Sequence, residues 1–258
     1  MKKYIPDCIT LLNLLCGTFA CILAMMGQAI PAWLFILAAA LFDFLDGFAA
    51  RLLKAVSPLG KELDSLCDLV SFGLAPSLML FQRYLYGAHT YPAFAYCALL
   101  IVLFAALRLA KFNTDARQHT DFIGLPVPGA AMIAASAAAY ASVCTRTGTS
   151  TAILRMMDSS WFIPVLALLL ALLMVLEVPM FSAKHKKLSF KEFPLESLFF
   201  VLVGVILLTL TILRSVGRPA LTMAGWLYTV LPLGLLLSFT LYVLMNLVAP
   251  RRPQNSTR

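Results

Sequence analysis

The sequence predicts an all-α integral membrane protein, a polytopic helix bundle with about eight transmembrane helices. Of its 258 residues, 61% are hydrophobic and only 12% are charged, and the mean hydropathy is +0.89. Apolar stretches long enough to span a bilayer recur along the chain, since a crossing needs about 20 helical residues. Uninterrupted apolar runs of this length exclude the alternating pattern of a membrane β-barrel.

The predicted helices follow one another with short connections. They cover residues 8–26, 32–54, 64–84, 92–110, 126–143, 161–181, 195–213 and 225–248. A turn at 27–31 separates the first two, and a turn containing Ser, Pro and Gly at 57–60 separates the second from the third. The fifth is rich in Ala and Ser, which permit close helix contact in lipid, and Pro232 is expected to kink the eighth.

Basic residues predict the orientation. With eight spans and an internal N-terminus, most of the 20 Lys and Arg residues lie on one side, and the other side holds Arg83, Arg146, Arg155, Arg214 and Arg218. Cytoplasmic loops carry an excess of Lys and Arg, so we expect a multi-pass protein of the cell (inner) membrane with both termini in the cytoplasm. The net charge of +8 then matches anionic lipid headgroups, and nucleic acid is not an expected partner.

Carboxylates are concentrated in one stretch of this apolar chain, residues 42–70, FDFLDGFAARLLKAVSPLGKELDSLCDLV. Four aspartates lie there in or beside predicted helices: Asp43, Asp46, Asp64 and Asp68. An ionised carboxylate at the bilayer centre costs about 2.5–3.5 kcal/mol, so four facing lipid would cost roughly 10 kcal/mol. The four must therefore face a polar cavity or bind cations. They are expected on the cytoplasmic side.

The spacing of these aspartates predicts that they converge. Asp43 and Asp46 are three residues apart and Asp64 and Asp68 are four apart, so each pair lies on one face of its own helix. The turn at 57–60 would fold the two helices back side by side. Like charges this close repel one another unless a cation lies among them, and all-oxygen ligands favour a hard ion such as Mg²⁺ or Mn²⁺.

Small residues and an arginine follow the second aspartate. Gly47 and Ala50 would let a ligand approach the helix backbone, and Arg51 can offer a phosphate a planar pair of donors. Together with metals they suggest a diphosphate, because two metals both neutralise it and make its phosphorus more electrophilic. Two other interpretations stay open: carboxylates that only form salt bridges at the membrane edge, and translocation of protons or ions by buried acids.

At these residues the sequence resembles the CDP-alcohol phosphatidyltransferase family, whose signature is D-x2-D-G-x2-A-R-x8-G-x3-D-x3-D. Every fixed position is matched, by Asp43, Asp46, Gly47, Ala50, Arg51, Gly60, Asp64 and Asp68. Members of that family transfer the phosphatidyl or phosphoalcohol part of a CDP-linked donor to an alcohol and release CMP. The resemblance implies that the four aspartates bind two divalent ions, Mg²⁺ or Mn²⁺, and that Asp68 also acts as the base. The glycines, Ala50 and Arg51 would hold the CDP part.

Segments outside the signature resemble the serine-accepting branch of this family. IPDCITLLNLLCG at residues 5–17 is similar to that branch's I-P-N-x-x-T-x-x-N-x-x-x-G opening, although Asp7 stands where Asn is usual. LRLAKFNT at 107–114 and FIGLPVPGAA at 122–131 resemble two further stretches. The resemblance implies CDP-diacylglycerol and L-serine as substrates, and a homodimer. Thr10 and Asn13, on one helical face, could contact the nucleotide or hydrogen-bond a neighbouring helix.

Polar residues at the end of the fourth predicted helix form the candidate acceptor site. A zwitterionic amino acid needs a cation for its carboxylate, which Arg108 or Lys111 could supply, and Asn113 follows them. Anchoring of the two cations at the membrane surface and helix capping by Asn113 are the alternatives. The same chemistry with glycerol 3-phosphate, an inositol phosphate or choline as acceptor stays open. So does a cation transporter, a protein of another class.

The resemblance also suggests a division of the chain. Residues 1–181, with about six helices, are expected to form the catalytic core. Residues 182–258 would add a basic cytoplasmic loop, two further helices and a short basic tail. The first helix is expected to be retained, because the N-terminus lacks the small-residue cleavage site of a signal peptide. The last two helices are expected to pack against the core or to form a dimer contact.

Overall fold

The structure, a computed structural model, is built almost entirely of helices, which confirms the prediction of an all-α membrane protein. It describes residues 4–55, 57–87, 91–114, 122–149, 152–176, 179–180, 202–212 and 226–248. Within these ranges, 6 helices are long and apolar enough to cross a membrane, and two shorter apolar helices accompany them. Each of the eight falls within or overlaps one predicted span.

We label the elements in chain order. The helices are α1 (Ile5–Met25), α2 (Ala29–Leu52), α3 (Pro58–Leu85), α4 (Pro92–Thr114), α5 (Val127–Thr147), α6 (Ala152–Met157), α7 (Phe162–Val175), α8 (Leu202–Ile212) and α9 (Leu231–Val248). The first part of α4, Pro92–Leu99, is a 3₁₀-helix, and a π-helical turn at Trp226–Val230 precedes α9. Two-residue strands, β1 (Phe122–Ile123) and β2 (Pro179–Met180), pair antiparallel.

The sequence does not predict α6 or the strand pair, because hydropathy windows respond to apolar runs several times longer than these elements. The strand pair joins the connection before α5 to the segment after α7. Its neighbour Leu125 continues this link, since its N–H donates to the Leu173 carbonyl at 2.9 Å. The predicted basic loop after residue 182 and the tail after residue 248 lie outside the described residues.

Helix α3 begins earlier than predicted. The predicted start at Asp64 is wrong, because Ser57 caps a helix that begins at Pro58. The Ser57 hydroxyl accepts the Gly60 N–H at 3.0 Å, and proline is favoured in the first helical turn, where its missing N–H leaves no bond unmade. A π-helical segment, Leu69–Leu74, interrupts α3 directly after Asp68.

The chain reverses between α2 and α3 within a few residues. Lys54 adopts the left-handed backbone conformation with φ 51°, and the Ala55 N–H then donates to the Ala50 carbonyl at 2.9 Å. This hydrogen bond satisfies one of the carbonyls that the end of a helix leaves without a partner. As a result, the end of α2 and the start of α3 lie at the same end of the bundle, and α1 packs against both helices.

Helix α5 lies at the centre of the bundle. In its most apolar 18-residue window, 89% of the residues are buried, compared with 28% for α1 and α2. Its alanines allow α2, α3 and α9 to approach closely, as small residues do in membrane bundles. Trp33 of α2 donates from Nε1 to the Ser136 hydroxyl of α5 at 3.0 Å, so the one polar atom of this buried indole is satisfied.

Successive long helices run in alternating directions, which gives the bundle two distinct ends. The aspartate end contains the start of α3 and the end of α4, where the Asn113 amide donates to the Ser65 hydroxyl at 2.9 Å. The distal end contains the end of α3, where Arg83 forms an ion pair with Asp158. About 17 residues of α2 separate Asp46 from the distal end, a distance of roughly 25 Å at the helical rise.

Candidate active site

Three carboxylates from two helices converge at the aspartate end. Asp43 of α2 and Asp64 and Asp68 of α3 each offer an oxygen, and these oxygens all lie within 4.8 Å of one another. Asp68 is buried, and the other two are half-buried. The structure therefore brings together three of the four predicted carboxylates in a group that could hold a metal ion.

Asp46 lies beside this group, one helical turn after Asp43. Its side chain is 6% exposed and faces Thr10 of α1. Its charge acts on Asp43, Asp64 and Asp68, although it does not belong to the group whose oxygens lie within 4.8 Å. All four aspartates thus share one electrostatic environment, with Asp46 at its edge.

The donor set fits a hard divalent cation. Asp46 Oδ2 and Asp64 Oδ1 are buried and have no hydrogen-bond partner among the described residues. Within the residues that the structure describes, none of the four aspartates forms an ion pair with a lysine or arginine. Buried carboxylate oxygens without protein partners are expensive, and oxygen ligands are those that Mg²⁺ and Mn²⁺ prefer. A divalent ion would satisfy both requirements.

Helix α1 forms one wall of this site. The Asn13 side chain is fully buried, and its Nδ2 donates to Asp68 Oδ1 at 3.2 Å. The Ser71 hydroxyl of α3 donates to the Asn13 carbonyl at 3.1 Å. Gly17 makes this approach possible, since a Cβ at that position would lie 2.7 Å from the Ser71 Cα. Asn13, which the sequence analysis assigned to donor binding or helix contact, therefore contacts the aspartate predicted to act as base.

The small residues of the signature occupy two different environments. A Cβ added at Gly47 would meet no atom within 4 Å, so open space adjoins α2 there. Ala50 is half-buried, and Arg51 is exposed at the end of the same helix. In contrast, a Cβ at Gly60 would lie 3.1 Å from Asp7 Oδ1. Gly60 therefore lies where the start of α1 meets the first turn of α3, a contact that the sequence analysis did not anticipate.

Of the three acceptor candidates, Arg108 is the one that faces the aspartates. Its side chain is 8% exposed and lies near Asp68 and near Tyr242 of α9. Its Nε is buried and makes no hydrogen bond within the described residues. A buried arginine with a donor to spare can bind an anionic group without competition from water.

The other two candidates lie further along α4. The Asn113 amide donates to Ser65, and the Asn113 carbonyl accepts a hydrogen bond from Lys61 Nζ at 3.2 Å. Asn113 thereby fastens the end of α4 to the start of α3. Lys111 is half-buried on the same turn. Their predicted contact with an acceptor stays a prediction.

Sequence reasoning missed several residues around this site. Ser65, Ser71 and Tyr242 were given no role, and Asp7 was given none because it departs from the pattern of similar chains. A polar residue inside an apolar helix, as Ser71 and Tyr242 are, was an available signal. The contact partner of Tyr242 could not be predicted from the sequence, because Tyr242 and Arg108 are distant in the chain and meet only when α9 packs into the bundle.

Two comparisons with known proteins give matches. The sequence profile of the CDP-alcohol phosphatidyltransferase family matches residues 3–245. The chain is 44% identical over 131 residues to a CDP-diacylglycerol–serine O-phosphatidyltransferase of Bacillus subtilis, covering 50% of this chain and 72% of that protein. Proteins of the same name from Helicobacter pylori and Methanocaldococcus jannaschii are each 36% identical, over 54% and 57% of their lengths and 50% of this chain. The chain thus spans little more than half of these last two relatives.

Proposed function

Because the chain belongs to the CDP-alcohol phosphatidyltransferase family, we propose that it transfers the phosphatidyl group of CDP-diacylglycerol to the hydroxyl of L-serine, giving phosphatidylserine and CMP. The observation that carries the proposal is the convergence of Asp43, Asp64 and Asp68 beside a buried arginine. The names of the relatives support serine as the acceptor and CDP-diacylglycerol as the donor.

The four aspartates would hold one or two divalent ions. When bound, such ions neutralise the diphosphate of the donor and make its phosphorus more electrophilic. The open space beside Gly47 leaves room for the CDP part against α2. Arg51, exposed at the end of that helix, can bind a phosphate with two parallel hydrogen bonds. The apolar tails of the donor would stay in the bilayer.

Asp68 is our candidate for the general base. Asn13 donates to Oδ1 of Asp68 and thereby fixes the orientation of the carboxylate. The serine hydroxyl would attack the phosphorus that bears diacylglycerol and give up its proton to Asp68. The bond between that phosphorus and the oxygen of the CMP phosphate would break, and CMP would leave. General-base catalysis of this kind contributes about 10²- to 10⁴-fold to the rate.

Arg108 is our candidate for recognition of the serine carboxylate. It lies near Asp68, so a serine held by Arg108 would present its hydroxyl close to the proposed base. A single buried cation is suited to one carboxylate. A phosphorylated acceptor, in contrast, needs several cations for its greater charge. This difference favours serine over glycerol 3-phosphate or an inositol phosphate.

An acceptor assay tests the proposal directly. Purified protein is supplied with CDP-diacylglycerol, a divalent ion and one of L-serine, glycerol 3-phosphate, inositol phosphate or choline, and CMP release is measured. We expect release with serine alone, together with phosphatidylserine. Release driven by another alcohol would remove the serine assignment but preserve the reaction class. Ion flux in liposomes without CMP release would instead indicate a transporter.

Chelation tests the metal requirement. Removal of divalent ions with EDTA should abolish CMP release, and Mg²⁺ or Mn²⁺ should restore it. Protein that keeps its full rate after exhaustive chelation would contradict the metal site. A cytoplasmic active site and a homodimer also belong to this proposal. Cysteine labelling from each side of sealed vesicles and a mass measurement in detergent would test them.

A further inference from the structure

A cavity of about 360 Å³ lies at the distal end, remote from the aspartates. The turn between α1 and α2 and the last turns of α3 and α5 surround it. Its polar lining consists of Gln82, Arg83, Ser142, Thr145 and Arg146. Among the described residues no aspartate or glutamate lines it, and the acid nearest to its arginines in the ion-pair pattern is Asp158, which pairs with Arg83. The proposed transfer reaction makes no use of this cavity.

The donors in this cavity are only partly used within the protein. Arg83 forms an ion pair with Asp158, yet its Nε is buried and has no hydrogen-bond partner in the part of the chain that the structure describes. Arg146 is exposed and makes no ion pair with any described residue. Arg146 therefore brings a positive charge that no described acid compensates, and Arg83 brings a free Nε–H donor, a combination that favours binding of an anion.

The start of α2 adds to this positive potential. Ala29, its first residue, lines the cavity, and the preceding Gln28 makes no capping hydrogen bond with its side chain. The Ala29 N–H lies at the start of this 24-residue helix beside the cavity, whereas Pro31 has no N–H and the Ala32 N–H donates to the Gln28 carbonyl at 3.0 Å. Helix N-termini carry partial positive charge and bind phosphate readily.

The remainder of the lining is apolar and lies at the ends of helices long enough to span a membrane. Met79 and the end of α1 line the inner part, and Met26 and Tyr86 are 65% and 79% exposed at its edge. Tyrosine is enriched at the level of lipid headgroups. A ligand that fits has a phosphate for the arginines and an apolar body for the methionines.

We propose that this cavity binds the headgroup of an anionic phospholipid from the leaflet opposite the aspartate cluster. Its phosphate would lie between Arg83 and Arg146, near the start of α2, and its acyl chains would run along the apolar lining. A bound lipid of this kind would fasten α2, α3 and α5 together at the distal end. The inference does not rest on the transferase reaction.

The test is a lipid titration of the delipidated full-length protein, with bound lipids counted by native mass spectrometry. The probes are phosphatidylglycerol, diacylglycerol and inorganic phosphate. For Arg146→Gln we expect phosphatidylglycerol to bind about tenfold more weakly, equivalent to about 1.4 kcal/mol. Arg155→Gln is the matched control, because Arg155 is exposed in α6 and does not line the cavity. It should bind like the original chain.

Any of three results would overturn the proposal. Arg146→Gln could bind phosphatidylglycerol as tightly as Arg155→Gln does, or diacylglycerol could bind as tightly as phosphatidylglycerol. Inorganic phosphate could also raise the melting temperature of the protein as much as phosphatidylglycerol does. The last would identify a site for free phosphate. Ser142→Leu, which fills the cavity without changing its charge, should also weaken binding. It decides the question if Arg146→Gln does not fold. CMP release, measured in parallel, should be unchanged in every variant.

Discussion

At the residue scale, Asp68 differs from Asp43 and Asp64 because a neighbouring helix already holds it. Asn13 donates to its Oδ1, and Arg108 lies near it. Asp43, in contrast, has a side chain that lies among other carboxylates. This difference favours Asp68 as the residue that accepts the proton and the other aspartates as the main metal ligands.

We therefore predict that Asp68→Asn lowers the rate of CMP release about 10²- to 10⁴-fold, the usual contribution of a general base. The side chain keeps its shape, so the melting temperature in detergent should stay within a few degrees. Glu62→Gln is the matched control, because Glu62 is exposed on the same helix and outside the carboxylate group. An Asp68→Asn protein with normal turnover would refute the base assignment while leaving the metal site intact.

Arg108 carries the second prediction at this scale. Arg108→Gln should raise the KM for serine about 10- to 100-fold, because a hydrogen bond to a charged group contributes about 1.5–3 kcal/mol. The KM for CDP-diacylglycerol should change little. Arg51→Gln should give the reverse pattern. Equal effects of Arg108→Gln on both KM values would indicate that Arg108 acts by orienting Asp68 and not by binding serine.

Sequence reasoning could predict that Asp43, Asp64 and Asp68 converge but not how each carboxylate is held. The helical spacing of Asp43, Asp46, Asp64 and Asp68 follows from periodicity alone. The hydrogen bond from Asn13 to Asp68 joins residues 55 apart in the chain and depends on how α1 packs. Arg108 could have anchored α4 at the membrane surface, because a cation at a helix end has the same sequence pattern whether it faces lipid headgroups or a cavity.

At the scale of elements, two glycines in neighbouring helices have opposite effects on packing. Gly17 lets α1 contact α3, and Gly47 leaves space beside α2. Hydropathy predicted both helices well, since each is a long apolar run. It could not predict that α3 begins at Pro58, because that start depends on one hydroxyl, that of Ser57, at the N-cap.

Gly17→Ala should destabilise the protein by about 1–3 kcal/mol, the typical cost of overpacking a closely packed contact. The added methyl group would overlap both the side chain and the backbone of Ser71, so α1 must shift. Thermal unfolding in detergent measures the effect. An unchanged melting temperature would show that α1 and α3 are not held as closely as described.

Gly47→Ala should behave in the opposite way. The methyl group meets no protein atom, and alanine favours a helix by up to about 1 kcal/mol over glycine, so stability should be kept or raised. If the donor lies against this position, the KM for CDP-diacylglycerol should rise. Gly204→Ala, also in open space but in α8, is the control: its stability should likewise be kept or raised, but the KM for CDP-diacylglycerol should not change. An unaltered donor KM in Gly47→Ala would argue against the proposed donor position.

At the scale of the whole molecule, the last helix is part of the same bundle as the active site. α9 packs against the central helix α5, and its Tyr242 lies near Arg108. The predicted core of residues 1–181 would lack α9 and therefore both of these contacts. Composition could not reveal the contact, because α9 looks like any apolar span and a helix that packs on α5 has the same hydropathy as one that faces lipid.

We accordingly predict that a chain ending at residue 200 does not give a monodisperse protein in detergent, because one face of α5 would lose its packing partner. Fluorescence-detected size exclusion would measure this. Leu247→Ala, which changes a side chain of α9 that is 50% exposed, is the control and should leave the profile intact. A truncated protein with normal CMP release would show that residues 1–200 suffice.

The π-helical segment after Asp68 affects how the two ends of α3 are rotated about the helix axis relative to each other. A π-helical turn contains more residues than an α-helical one, and it shifts the angular phase of everything beyond it. Asp64 and Asp68 lie before the segment, and Gln82 and Arg83 lie after it. Loss of a single residue between 69 and 74 would turn the carboxylates by about 100° relative to the distal half. The length of the segment thus determines how the aspartates are rotated relative to the distal half of α3. A one-residue deletion there should abolish CMP release although every aspartate is still present.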